Sequence, residues 1–580
     1  MKKLQIILQK IPYIKTISFL FFTWFIFGFL IIPNLNVLYQ TFWEDGHFSV
    51  EVFLKLFHSQ KAMNSLKNSF ILAVSMSITV NLVGITLVLL TEYFDIRGAK
   101  FLRLGYMTTL VYSGVVLVSG YKFIYGNGGI ITDLLIKIFP QMNPGWFEGY
   151  GAVIFVMTFA CTSNHMIFLR NALQKVDFQT IEAAKSMGAS AARILFKVVL
   201  PTLLPTIFAV TILTFLTGLS ATSAPMMVGG DKFQTITPMI LLFSQSMGSK
   251  DLAALMSIIL GIATIILLTI MTRIEKKGNY MSVSKVKTAL IKQKIHNRAA
   301  NAGAYTLAYI LFLVYVVPVV LIIFFSFTDV KTIMTKQITF DSFSLDNYKK
   351  LVTGMAGLKP FLVSFVYALI ASAAVSALAI VACRLIRRNQ NRLTLALEYS
   401  LLIPWMLPGT LIALGLVLTF NGPKWYAGNL ILTGTPLIMV LAYIIVKIPF
   451  TLRMTKASFF SIDDSLEDAA RSLGLRAVSA FIKISLPVIM PSVLAVLALN
   501  FTGLLTDYDL SVFLFHPLYQ PLGVYIKSLT DSTSNADNTA MSLVYAVLIM
   551  VISTVVLSLV YGRRDEDKNK RKNKRRSRKR

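Results

Sequence analysis

Apolar stretches long enough to cross about 30 Å of hydrocarbon recur twelve times along the chain. They lie near 16–40, 68–91, 104–121, 150–169, 198–220 and 252–272, and then near 303–327, 361–383, 396–420, 429–452, 487–506 and 541–562. Backbone polar groups in lipid must be satisfied within the segment, so each stretch predicts a helix. Internal proline and glycine do not exclude that reading, because neighbouring helices can resatisfy the backbone. The pattern predicts an all-α polytopic membrane protein of about twelve transmembrane helices in two halves of six. The first run, Ile17 to Ile32, is long for a signal core, and no small-residue cleavage site follows it. It reads as an uncleaved first span.

The polar intervals carry a repeat. Lys175 to Pro205 is a helix-prone insert before the fifth span, and a similar stretch starts at Asp463, before the fifth span of the second half. Glu182–Thr206 aligned without gaps to Asp468–Ser492 gives 9 identities in 25. Glu182-Ala183-Ala184, Gly188 and Leu200-Pro201 recur at the same spacing as Asp468-Ala469-Ala470, Gly474 and Leu486-Pro487. The two alanines form helix well and let another surface approach closely. Each glycine permits a turn that other residues resist. The prolines at 201 and 487 suit the first turn of the helix that enters the membrane. The expected local structure is a short helix, a glycine break and a second helix. The chain therefore reads as two copies of one unit.

Charge adds an orientation. The chain is 55% hydrophobic and 14% charged, with a net charge of +29. A soluble protein carries nearly twice that charged share. With the N-terminus inside, and with Glu398 and Lys447 assigned to the inner ends of their spans, inner segments hold 42 Lys+Arg against 13 Asp+Glu. Outer segments hold 14 of each. Positively charged loops stay in the cytoplasm, which puts both inserts, the central linker and both termini there. The tail from Arg563 to Arg580 has 12 basic and 3 acidic residues. It reads as an anchor near anionic lipid or a docking segment for a partner protein. Nucleic-acid binding is not expected, because basic character alone is a weak signal.

Other chemistry is sparse. Cys161 and Cys383 lie in or beside apolar spans and suggest neither a disulfide framework nor a zinc site. The five histidines lack metal-ligand spacing, and His165 reads as structural. No nucleophile–base constellation stands out, and there is no Gly-Lys dipeptide, hence no phosphate-binding loop of the G-x-x-x-x-G-K-[ST] type. No catalytic residue, cofactor or metal is expected.

The twin inserts resemble the "EAA" loop of permease subunits from binding-protein-dependent (type I) ABC importers. The resemblance covers nearly the full length and implies two MetI-like permease halves fused head to tail. The implied domains are residues 1–272 with a loop at 170–201, a basic linker at 273–302, residues 303–562 with a loop at 453–487, and a basic tail at 563–580. It implies that Glu182, Ala183, Ala184, Gly188 and Pro201, with Asp468, Ala469, Ala470, Gly474 and Pro487, couple to two copies of a separate ATP-binding subunit. It also implies an extracytoplasmic solute-binding protein and a place in the cell membrane. The second loop departs from the pattern in having Asp468 for glutamate. Neighbouring Glu467 could substitute, though it points elsewhere on a helix.

Fused permeases of this layout resemble those of ferric-iron uptake and are similar to those for 2-aminoethylphosphonate. Ferric iron is the first expectation for the substrate, with organic phosphonate or polyamine next. Thr217-Gly218-Leu219 recurs as Thr502-Gly503-Leu504, followed by Asp507 and Asp509 at the outer end of a span. These acids either belong to the translocation path or are merely solvated; two acids suit a cationic substrate. A secondary transporter is the rival reading. It would need buried ionisable residues and leaves the repeated loop unexplained.

Overall fold

A computed structural model describes residues 11–577, except 45–46, 113, 175, 278–290, 338, 355–356, 390, 461, 463–464 and 532–535. Much of the basic linker and the last three residues of the tail therefore lie outside the described residues. In chain order, the helices that frame the argument are α1 (Ile11–Ile26), α2 (Ile32–Phe42), α3 (Gln60–Val88), α4 (Ala99–Tyr106), α5 (Val115–Tyr125), α6 (Tyr150–Leu173), α7 (Phe178–Ser186), α8 (Ala191–Ile194) and α9 (Leu200–Leu219). They continue with α10 (Lys250–Lys277), α11 (Arg298–Ser326), α12 (Lys359–Arg388), α13 (Arg392–Leu402), α14 (Gly409–Phe420), α15 (Pro436–Phe459), α16 (Ser465–Ser472), α17 (Ala477–Ala480), α18 (Leu486–Leu505) and α19 (Ala536–Ser577). A two-stranded antiparallel ribbon, β1 (Trp43–Glu44) with β2 (His47–Phe48), pairs Trp43 with Phe48.

Among the described residues, ten helices are long and apolar enough to cross a membrane, or twelve if each of two bent pairs is one span. The bent pairs are the runs expected as straight spans near 104–121 and 396–420. They fold by 110° between Leu110 and Val115 and by 101° between Trp405 and Gly409. The causes are local. Gly114 has φ +59°, outside the helical region. Pro408 is extended (ψ 145°) just before α14 and lacks the N–H that would continue the preceding helix.

The chain forms two compact units that do not follow the sequence halves. One comprises residues 1–50, 358–525 and 549–580; the other comprises 51–357 and 526–548. In the first unit, α12, α15 and α18 pack together, and in the second α3, α6 and α9 do. Small residues let these helices meet closely. A Cβ on Gly218 would fall 2.7 Å from the Ala73 backbone, and one on Gly84 would fall 2.4 Å from the His165 ring.

Each unit also contains the first span of the other sequence half. In the first unit, α2 lies along α14. Asn36 Nδ2 donates to Thr419 Oγ1 at 2.9 Å, and a Cβ on Gly415 would meet the Pro33 carbonyl oxygen at 3.0 Å. In the second unit, α11 crosses α4. The Tyr106 hydroxyl donates to the Ala308 carbonyl at 2.7 Å, and Gly105 leaves room for Phe312. Apolar periodicity finds such spans but does not name their partners.

Candidate coupling loops

The first loop begins at Asp177, whose carboxylate accepts from the Gln179 amide at 3.1 Å and caps α7. One face of α7 buries Phe178, Ile181 and Ala184, at the spacing of a helical stripe. The opposite face exposes Glu182 and Ala183, and Glu182 makes no ion pair among the described residues. Gly188 ends the helix at φ +77°, and its amide donates to the Lys185 carbonyl at 2.9 Å. The Ser190 hydroxyl then caps α8 by accepting from the Arg193 amide.

The second loop repeats this construction. Its helix, α16, buries Ala470 and exposes Asp468 and Ala469, and Gly474 closes it at φ +88°. Among the described residues, the one charged approach to Asp468 is Arg471 of its own helix, at 3.8 Å. Just before each glycine stands a large apolar side chain, Met187 at 80% exposure and Leu473 at 86%. They occupy equivalent places, and sequence reasoning passed over both.

The prolines sit in the first turns of α9 and α18, as expected, and the turn before each is unusual. Each follows a five-residue π turn, Leu195–Val199 or Phe481–Ser485, inside a continuous helical segment. Leu200 donates to the Leu195 carbonyl and Leu486 to the Phe481 carbonyl. A proline ring collides with the carbonyl four residues back in a regular helix. A turn widened by one residue moves that carbonyl aside. The part of each loop after its glycine is thus continuous with the fifth span, over Ala191–Leu219 and Val478–Leu505, while α7 and α16 are separate helices across the glycine turn.

The loops are anchored by different chemistry. In α16, Glu467 turns inward: Arg384 Nη1 donates to it at 2.5 Å and the Ser485 hydroxyl also donates to it. Burial pushes this carboxyl up, but the bonds from Arg384 and Ser485 outweigh that and hold it below the usual glutamate range. Glu467 is therefore committed and does not replace Asp468 on the exposed face. The equivalent positions in the first loop, Ile181 and Val199, are apolar and fully buried. There the anchor is Lys185, which donates to Gln293 Oε1 at 2.5 Å. Gln293 lies at the end of the central linker, strapped to the chain after α3: its amide donates to Tyr93 O at 2.8 Å, and its carbonyl accepts from Asp95 N at 2.9 Å.

The acids expected at the outer end are unequal. Asp507 accepts from the Ser511 amide at 3.0 Å and the Ser511 hydroxyl at 2.6 Å, which closes the turn after α18. Burial pushes its carboxyl up by more than Ser511 and Lys447 draw it down. Asp509 is exposed. Lys447 is not at a span end. It is the twelfth of the 24 residues of α15, because that helix runs two turns beyond the apolar stretch that suggested its boundary.

These features define an integral membrane protein whose two halves each carry a polar helical loop ahead of the fifth span. Residues 115–277 and 375–562 match the family described as "Binding-protein-dependent transport system inner membrane component". The chain belongs to that family; it is an ABC importer permease subunit and not an enzyme, and ATP hydrolysis lies in a separate subunit. It is 35% identical to the "Probable ABC transporter permease protein y4fN" of Sinorhizobium fredii, over 92% of this chain and 94% of that one. It is 20% identical to the ferric transport system permease protein FbpB of Actinobacillus pleuropneumoniae, over 91% and 75%. A candidate 2-aminoethylphosphonate permease of Salmonella paratyphi A, PhnV, is 26% identical over 26% of this chain and 55% of its own. The crystal structure of a bacterial ABC transporter that imports alginate aligns with 48% of this chain and 99% of that one, at a TM-score of 0.40 and 15% identity.

Proposed function

We propose that Glu182–Gly188 and Asp468–Gly474 are the coupling segments of this permease, each docking one ATP-binding subunit on the cytoplasmic side. The carrying observation is the shared construction. Each loop exposes an acid, an alanine and a large apolar side chain ahead of a left-handed glycine, one short turn before the helical extension of the fifth span. The acid suits a basic residue of the partner, the alanine permits close approach, and Met187 or Leu473 can fill a pocket. Movement of the ATP-binding subunits would then reach the spans without slack. Coupling requires the loops to bind those subunits differently in their two states. Solute would arrive from an extracytoplasmic binding protein, in the inner membrane, with both termini in the cytoplasm.

Ferric iron is the first cargo to test, since a relative named for it matches across most of the chain; an organic phosphonate is next and a polyamine third. Co-purification tests the docking. The chain should bring down about two ATP-binding subunits, and Glu182→Lys with Asp468→Lys should abolish both that recovery and uptake. Met187→Ser with Leu473→Ser should weaken recovery at least tenfold without lowering the yield of folded permease. Full recovery and uptake in the charge-reversed protein would remove these loops from the interface.

A further inference from the structure

A polar seam runs between α15 and α18. Tyr443, Lys447 and Thr451 follow one another at intervals of four on a single face of α15. The Tyr443 hydroxyl bonds to the Ser511 hydroxyl at 2.7 Å, and Asn500 Nδ2 donates to Thr451 Oγ1 at 2.7 Å. Lys447 stands between these two satisfied pairs. Its ammonium makes no hydrogen bond or ion pair among the described residues. It reaches over Gly503 of α18, where a Cβ would lie 3.6 Å from Nζ. Gly503 is exposed and Lys447 is half-buried, so the ammonium borders open space at this spot. The neighbouring carboxylate, Asp507, accepts both Ser511 bonds through one oxygen and lies close enough to Lys447 for the two charges to attract each other.

An ammonium has three donors. Halfway along a 24-residue helix it is about 17 Å from either end of α15, beside the last turn of α18. Such a charge faces a bundle interior or a water-filled cavity, and it calls for a partner. The same position in the first half, 286 residues earlier, is the uncharged Cys161 in α6. The positive charge is therefore a feature of one half and not of the repeated framework.

We propose that Lys447 is the anion-holding group of the translocation path, and that the cargo presents an oxyanion, a phosphonate or carboxylate, to it. This rests on the importer reading and narrows the cargo within it. A phosphonate, or ferric iron inside a negatively charged chelate, would be held by the ammonium in preference to a bare metal cation or a polyamine. Gly503 leaves room for the group, and the Thr451 and Tyr443 hydroxyls flank it.

The test uses the full chain with its ATP-binding subunits in lipid nanodiscs, with Cys161 and Cys383 changed to serine and Gly503→Cys as the reporter. Reaction rates are measured with an anionic sulfonatoethyl and a cationic trimethylammonioethyl methanethiosulfonate. With Lys447 present, the sulfonate reagent should react faster. Lys447→Gln should lower the anion-to-cation rate ratio about tenfold or more, and Lys447→Arg should preserve it. Millimolar methylphosphonate or citrate should slow labelling only when residue 447 is cationic, and whichever protects identifies the oxyanion as phosphonate or carboxylate. A ratio independent of residue 447, an absence of protection by both anions, or no reaction with either reagent would each overturn the proposal. Charge reversal at Glu182 and Asp468 tests the importer coupling separately, because it should change subunit recovery and leave this ratio alone.

Discussion

Glu467 and Arg384 meet at 2.5 Å, with the guanidinium also lying 4.5 Å from the centre of the Phe481 ring. The pair ties α16 to α12, and both side chains are more than four-fifths buried. Removing one partner leaves the other charge without its counterion. Glu467→Gln should therefore cost about 1–2 kcal/mol locally, read as roughly tenfold faster hydrogen exchange over 465–475 with residues 178–188 unchanged. The pH dependence has a definite sign. The folded-state pKa is lowered, so the anchor is fully present above the ordinary glutamate value and is lost as pH falls through the lowered one. Protection over 465–475, taken relative to the intrinsic amide rate at each pH, that stays the same in the variant or that rises on acidification below that range would contradict this.

The first loop should show the mirror image. Lys185 is held by Gln293, at the end of the linker, and not by a carboxylate. Gln293→Ala should raise exchange over 178–188 several-fold and leave 465–475 as it was. The strap also keeps its backbone bonds to Tyr93 and Asp95, so the effect should be confined to the loop. Equal effects on both loops would mean that the anchors are not separate.

Much of this site is readable from residue order. Apolar run length locates the spans, and Gly188, Gly474, Pro201 and Pro487 mark the loops, because glycine and proline act on their own backbone. What escaped depends on partners distant in sequence. Nothing near Ile17–Ile32 says that this span packs beside α14, and nothing near Glu467 says that an arginine 83 residues earlier turns it inward. Lys447 lies within the apolar run 429–452, nearer its inner end, and residue order assigns it to that end. The helix continues to Phe459, which moves that charge to mid-span.

Gly188 and Gly474 invite a clean substitution. A Cβ at either would meet nothing within 4 Å, so only the backbone objects. At φ +77° and +88°, alanine should cost about 1–2 kcal/mol, and asparagine, which tolerates this region better, should cost less. Gly188→Ala with Gly474→Ala should lower transport-coupled ATP hydrolysis more than the double asparagine variant does. If the two variants behaved alike, the left-handed turn would not be what fixes the docking surface.

Pro201 and Pro487 give the last prediction, in which stability and function part. The π turns at Leu195–Val199 and Phe481–Ser485 each accommodate a proline that a regular helix would reject. With Pro201→Ala, the missing amide returns and the helix can close to its ordinary pitch. That removes one residue's worth of winding, about 100°, and rotates everything upstream, Gly188 and Glu182 included, about the axis of the fifth span. The variant should melt at the same temperature as the parent or higher, because an unfavourable proline has gone from a helix interior. Its uptake and its recovery of the ATP-binding subunit should nevertheless fall, because the acidic face of α7 no longer points where the partner sits. Pro487→Ala should act in the same way on Asp468. A thermal shift assay and co-purification on the same preparations decide the matter: a lower melting temperature with normal subunit recovery would show that the prolines serve stability and do not aim the loops.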